Sequence, residues 1–347
     1  MLTLELLKHV AGSSGADESG RVVQSLCRAS EGEFLWAIEG GLGPLLLRAT
    51  GDRVAEIPSS WHEVLQSSDL TARLHHGLRV DTATEVIEIC ASLGVPVTLL
   101  KGISISEQYY PAAHMRTMSD VDLLLPVEAP PVVEAELLRR GYQRGPERPA
   151  EDSHHGAPLL DPNRPVWVEL HTKLFPPSSG LLTGQAFSPT NIAAHSAAST
   201  CYGQPVRRLL NEFQGAYLAA CWIWDITLDK FHPTFVPALF DAVLLQRLAL
   251  PAVDWKSVLG WLDNQMALAS LHVMLSYLER HGVCVTPPPA RLASTQRLVG
   301  AVELSIMHAV FDHYLLGARS WNLPIPPPVP GRYNLRRQFR KRLLRRQ

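Results

Sequence analysis

Residues 95–126 read VPVTLLKGISISEQYYPAAHMRTMSDVDLLLP, and the fold turns on how this stretch is read. VPVTLLKG (95–102) is a short apolar, partly β-branched run that stops at Gly102, the pattern of a buried strand. Ser104–Tyr110 follows as a short helix closed by Pro111, and DVDLLLP (120–126) is a second strand closed by Pro126. Side chains alternate faces along a strand, so Asp120 and Asp122 project together from a run that is otherwise Val121, Leu123, Leu124 and Leu125. Two carboxylates held together beside a core repel unless a cation neutralises them, and hard oxygen ligands suit Mg²⁺. A lone Asp-x-Asp is better explained by Asp120 capping a turn and Asp122 at a solvated strand end.

The flanking residues shift that balance. Leu99–Ser104 is a strand, then a glycine, then a serine opening a helix; backbone N–H groups and a hydroxyl at such a junction make a phosphate cradle. Downstream, APLLDPNRPVWVELHTKL (157–174) reads as a hairpin with a DPNRP turn. Its second strand carries Glu169 and His171 on one face, with Val168 and Leu170 on the other. Three strand-borne carboxylates and a Gly/Ser turn are the parts that two-metal phosphoryl transfer requires. His154 and His155 precede the hairpin, but their spacing to His171 fits no standard structural zinc site.

Further out the pattern is helical. Thr71–Ser92 is a long periodic stretch ending at Gly94, and Phe34–Arg48 has an apolar face weakened by Gly40, Gly41 and Gly43. Pro131–Arg140 reads as a helix, and from Val206 to Ser320 helices are expected throughout. Segregated strands and helices give fold class α+β. The expected organisation is an N-terminal helical region (1–94), a core (95–200), a C-terminal helical domain (201–322), and a Pro-rich linker with a basic tail (323–347).

The 347 residues suit about two domains. Hydrophobic residues make up 46% and charged residues 19%, which excludes a wholly disordered chain. No apolar run reaches 18 residues, and the first twenty residues lack a secretory pattern. Cys27, Cys90, Cys201, Cys221 and Cys284 form no CxxC pair, so neither a disulfide framework nor a thiolate zinc site is indicated, and a cytoplasmic protein is expected. Residues 332–347 carry eight Arg/Lys and no acid, so the formal net charge of −1 leaves about −9 on the rest. With Leu335, Phe339, Leu343 and Leu344 at helical spacing, this tail suits RNA or an acidic partner, or else a solvated terminus.

At VPVTLLKGISISEQYYP, MRTMSDVDLLLP and VWVELHTKL the chain resembles the uncharacterised bacterial nucleotidyltransferases of the DNA polymerase β superfamily. FLWAIEGGLGPLLLR and ALFDAVLLQRLALPAVDWKSVL extend the likeness over roughly residues 30–285, and the Lys-Gly turn is shared with abortive-infection toxin transferases. The resemblance implies a small mixed sheet with flanking helices and Mg²⁺-dependent transfer of a nucleoside monophosphate from an NTP, ATP by default. By it Asp120, Asp122 and Glu169 hold two metals. Lys101, Gly102, Ser104 and Arg116 bind the triphosphate, and His171 touches the acceptor or orients Glu169. Ile103 departs from the superfamily's second small residue in the phosphate turn. The acceptor hydroxyl stays open between a peptide or protein, an RNA and a small molecule. A non-catalytic nucleotide-binding or partner-binding module and a γ-phosphate kinase are the rival readings. Asp241 and Asp254 match the family without assigned chemistry.

Overall fold

The computed structural model describes residues 2–12, 18–146, 153–227, 236–249, 253–283 and 301–316. The basic tail, the Pro-rich run and Cys284 lie outside them. Five helices come first: α1 (Leu2–Ala11), α2 (Glu18–Arg28), α3 (Glu31–Glu39), α4 (Gly43–Thr50) and α5 (Ser59–Ser92). Ser30 caps α3 in a reciprocal capping box with Glu33. The apolar stretch expected across Phe34–Arg48 is two helices, broken at Gly40-Gly41. Gly41 has φ +71°, and a Cβ there would sit 1.9 Å from Thr117 Oγ1, so only glycine lets this turn approach the loop ahead of the Asp-x-Asp strand.

The sheet comes next. Strands β1 (Thr98–Leu99), β2 (Asp120–Leu124), β3 (Gln143–Arg144), β4 (Leu159–Leu160), β5 (Trp167–His171), β6 (Ser196–Cys201) and β7 (Gln204–Leu209) form one mixed sheet in the order β3-β4-β5-β2-β1-β7-β6. Helices α6 (Lys101–Tyr109), α7 (Pro130–Arg139) and α8 (Pro189–Ala194) are inserted between strands. The rest is helical: α9 (Asn211–Thr227), α10 (Val236–Leu248), α11 (Trp255–Trp261), α12 (Gln265–Arg280) and α13 (Ala301–Leu316). Asp254, matched to the family without a role, caps α11 by accepting from the Lys256 and Ser257 N–H groups.

One expectation fails here. Residues 204–209 are a strand, not the start of the helical half, and the sheet runs past residue 200. β6 and β7 pair antiparallel from Cys201↔Gln204 outward, so Tyr202 and Gly203 form a two-residue turn. Both have positive φ, 46° and 84°, as a hairpin turn that matches strand twist requires. β7 then pairs parallel with β1, a long-range contact that no local propensity reports.

The sheet has two differently covered faces. Val121, Leu123, Val168 and Leu170 join one apolar cluster with Val86 and Ile87 of α5 and Val133 and Leu137 of α7. Full burial of each such side chain stabilises by about 1.5–3 kcal/mol. On the other face the larger cluster gathers residues from the first and last helices together, including Leu6 and Phe240. The two helical segments thus share a core, and Arg247 of α10 donates to the Val10 carbonyl at 2.8 Å.

The β4–β5 hairpin is anchored by Asp161. Its carboxylate accepts from Thr82 Oγ1 at 2.6 Å, from the N–H groups of Asn163 and Arg164 at 2.8 and 3.2 Å, and from the Arg164 guanidinium. Burial works against its charge, but these bonds, led by Thr82, hold its pKa below the usual carboxylate value. The stabilisation is present above that usual value and lost as pH falls through the depressed one. Asp161→Ala is expected to cost about 1.5–3 kcal/mol at pH 7. In urea unfolding the deficit relative to wild type should shrink in acid; a deficit constant with pH would reject this anchoring.

Candidate active site

β2 and β5 run parallel, and their register sets Asp122 directly against Glu169, and Asp120 against Trp167. Alternation then turns Asp120, Asp122, Glu169 and His171 to the face opposite the small apolar cluster. His171 is fully buried, and its Nε2 lies 2.8 Å from Asp122 Oδ1 and 3.3 Å from Glu169 Oε2. Lys101 begins α6 with φ 42°, a left-handed conformation unusual for a lysine, and its Nζ is 3.6 Å from Asp122 Oδ2. Such a backbone outlier persists only where its surroundings hold it, and it often marks a functional turn. Gly102 is closely approached: a Cβ there would lie 3.0 Å from Met118 Cβ and 3.3 Å from the Arg116 guanidinium, so a side chain would press both neighbours back.

The charges are unevenly balanced. Burial raises the Asp122 pKa, but Lys101 and then His171 overcome this and hold it well below the usual range. Burial and the Asp122 charge push Asp120 up to about 6. Burial lowers the His171 pKa, yet its bonds to Asp122 and Glu169 leave it raised. Glu169 is lowered overall, with burial opposed by its bond to His171. Lys101, His171 and, around them, Arg79, Arg116 and His155 face the three carboxylates, yet the Asp122 charge still pushes against Asp120, a repulsion that a cation would relieve. Ligand atoms of Asp122, Glu169 and His171 lie within 4.8 Å of one another, and carboxylates with an imidazole are a donor set that divalent metals accept. His171 Nε2 is already engaged with Asp122, so it orients that carboxylate as a metal's supporting partner does.

A cavity of about 720 Å³, within the range of small-molecule sites, opens beside the carboxylates. Asp120, Asp122, Lys101, Gly102 and Arg116 line it. Glu169 and His171 are not on its wall; Glu169 stands beyond Asp122, near His155 Nε2 at 3.7 Å. The three imidazoles of His154, His155 and His171 pack with ring centroids 4.8–5.1 Å apart, brought together by pairing of His155 with His171. Burial and the neighbouring His171 hold His154 down at about 3, so its ring is neutral.

Two residues depart from their expected surroundings. Ser104 is not on the cavity wall: α6 begins at Lys101, so Ser104 falls inside its first turn and is fully buried. Its hydroxyl accepts from Gln108 Nε2 at 3.1 Å and its carbonyl from Arg208 at 2.8 Å. Arg116 reaches the cavity, but Asp241 of α10 holds its guanidinium through Nε at 3.2 Å and Nη2 at 2.8 Å. Asp241 also accepts from Tyr110 at 2.8 Å, so it is the buried counter-ion of the loop that leads into β2. Sequence reasoning missed Arg79 of α5, which lines the cavity and donates to the Ser119 carbonyl at 3.4 Å. It also missed Gln214 and Tyr217 of α9; their only local signal is a polar stripe in an apolar helix.

The description "uncharacterised nucleotidyltransferase" belongs to a family model that matches residues 34–282, well over half of the chain. The chain belongs to this nucleotidyltransferase family. No protein of curated function matches it. Among solved structures it is similar to an antigenic nucleotidyltransferase-like protein from Paracoccidioides brasiliensis, at 16% identity over 63% of this chain and 92% of that one, with a TM-score of 0.37. No helix among the described residues is long and apolar enough to cross a membrane.

Proposed function

We propose that this chain transfers a nucleoside monophosphate from an NTP to a hydroxyl acceptor, using a polymerase β-like core. The observation that carries the reading is the pairing of Asp122 with Glu169 on adjacent parallel strands, with Asp120 and Lys101 beside a nucleotide-sized cavity. Asp120, Asp122 and Glu169 would hold divalent cations, Mg²⁺ in this reading, which supply charge neutralisation at the α-phosphate and activate the acceptor oxygen. Lys101 and Arg79 bind the triphosphate as cations, and the first N–H groups of α6, beginning at Lys101 and Gly102, donate to its oxygens. His171 holds the Asp122 carboxylate in position. Glu169 accepts the acceptor's proton as the acceptor oxygen bonds to the α-phosphorus. The bond from that phosphorus to the bridging oxygen breaks, and pyrophosphate leaves. Catalysis is chiefly positioning and electrostatics.

Glu169 is partly exposed on the side of Asp122 away from the cavity wall, and this supports entry of the acceptor beside His155. A relation to abortive-infection transferases belongs to the same reading and directs the acceptor search to RNA and protein before small molecules, with the basic tail as a means of holding RNA.

The test uses ATP labelled at the α- or γ-phosphate, Mg²⁺, and acceptor pools of RNA and protein, beside an Asp120→Ala/Asp122→Ala control. Transfer of α-label alone, absent in the control, is expected. Transfer of γ-label alone would make the chain a kinase. No transfer from any of the four NTPs to any pool would favour a binding module on the same fold.

A further inference from the structure

Helix α5 carries one face that no described residue covers. Glu63, Ser67, Leu70, Leu74, Gly77 and Asp81 follow one another at spacings of four and three, so they form a single stripe along the helix. All six are exposed. Leu70 and Leu74, at 67% and 63%, are the most exposed large hydrophobics among the described residues. The two leucines stand between carboxylates, each about 10 Å away along the helix axis.

This pattern selects its occupant. In a two-fold pairing of α5 with a second copy, setting Leu70 of one helix against Leu74 of the other also sets Glu63 against Asp81. Like charges would then meet at both ends. A nucleic acid is repelled by the same carboxylates. An apolar pair with acid on either side fits instead a helix with apolar residues four apart among cations. Residues 332–347 have that sequence pattern, with Leu335, Phe339 and Leu343 among eight Arg/Lys and no acid, against about −9 on the rest of the chain.

The tail lies outside the described residues, but the described chain leads toward the stripe. Leu316, where α13 ends, lines a small cavity together with Trp36 of α3. One turn along α3, Ile38 and Glu39 line the large cavity, as does Ser67 of the stripe. The 15 residues between Leu316 and Arg332 reach about 45 Å as polyproline II, which exceeds the stripe's length of about 27 Å.

We propose that residues 332–347 dock on this face of α5 within one chain, with Leu335 and Phe339 against Leu70 and Leu74 and arginines beside Glu63 and Asp81. The tether raises the effective concentration, so the contact needs little intrinsic affinity. Two carboxylates engage only a minority of the eight cations. The others stand beside the cavity, where they serve the RNA hold proposed above. The inference does not rest on the nucleotide-transfer reading.

The test is photo-crosslinking of the nuclease-treated full chain with Phe339 replaced by p-benzoylphenylalanine, the products mapped by mass spectrometry. Crosslinks within one chain to residues 63–81 are expected. Leu70→Arg/Leu74→Arg should reduce them at least tenfold while leaving the melting temperature unchanged, because both side chains are exposed. Should the larger ring block the contact, the same probe at Gln338 leaves Phe339 in place. No crosslink to α5 from either position, crosslinks that persist in the double variant, or crosslinks that fall elsewhere in the chain overturn the inference. Crosslinks joining two chains would give the stripe to another copy, and crosslinks to added RNA in place of α5 would give the tail to RNA; either overturns it as well.

Discussion

Asp122→Asn is expected to lower nucleotide transfer by about 10³-fold or more and to lower the melting temperature as well. Asp122 joins the two strands of the centre to its cation and its imidazole. It faces Glu169 across the parallel pair, accepts from His171 at 2.8 Å and lies 3.6 Å from Lys101. Asparagine keeps an oxygen for the His171 N–H but removes the charge that a cation and Lys101 both require. It also relieves the repulsion that helps push Asp120 up to about 6. Relief of Asp120 offsets only part of the cost, because Lys101 and His171 hold the Asp122 carboxyl well below the usual range and folding therefore favours its charge. Function and stability therefore fall together at this position, whereas the unfavourable charge of the site sits on Asp120. Turnover of labelled ATP and Mn²⁺ binding followed by electron paramagnetic resonance would read the first effect, and thermal melting the second. Activity within tenfold of wild type would remove Asp122 from the centre of the mechanism.

The strands that carry the carboxylates were legible because their two faces differ so strongly. Val121 and Leu123 alternate with Asp120 and Asp122, and Val168 and Leu170 with Glu169; a period of two with charge on one face has few other readings. β6 and β7 were not legible. SAASTC and QPVRRL have little alternation, and β7 owes its place to parallel pairing with β1, about a hundred residues earlier in the chain. The clue present was Tyr202-Gly203, a dipeptide suited to a tight hairpin but weaker than Asn-Gly.

The site was half legible for a related reason. Spacing reports which residues share a strand face, and it grouped Asp120, Asp122, Glu169 and His171 correctly on theirs. It reports poorly on helix onset: Lys101 enters α6 with positive φ, which a lysine seldom adopts, and that shift carried Ser104 into the buried first turn. It cannot report which helices close a cavity. Arg79 and Gln214 come from helices on either side of the sheet segment in sequence, and periodicity marks each as surface or core without showing that both border one space. Likewise His154, His155 and His171 meet only through cross-strand pairing.

The second large effect concerns Arg116, where a structural and a catalytic role can be told apart. Arg116→Met alone should destabilise the chain by about 3–5 kcal/mol, because it leaves Asp241 buried with Tyr110 as its one remaining side-chain partner among the described residues. Asp241→Leu alone should cost a similar amount by stranding the guanidinium, whose side chain is 14% exposed. The double variant removes both charges, fills the space with apolar atoms and should recover most of that loss, since a buried pair is often replaceable by well-packed hydrophobic residues. Urea unfolding of the four proteins gives the cycle; additive losses would show that the two side chains do not act as a pair. Nucleotide affinity of the refolded double variant then answers the other question. If Arg116 serves only to fix the loop from Thr117 to Asp120 against α10, the double variant binds NTP as wild type does. If its remaining N–H groups also grip the triphosphate, stability returns while affinity stays reduced. The bonds to Asp241 and the Thr117 carbonyl already use much of the guanidinium's donor capacity. The first outcome is therefore expected, with Lys101 and Arg79 carrying the phosphate charge.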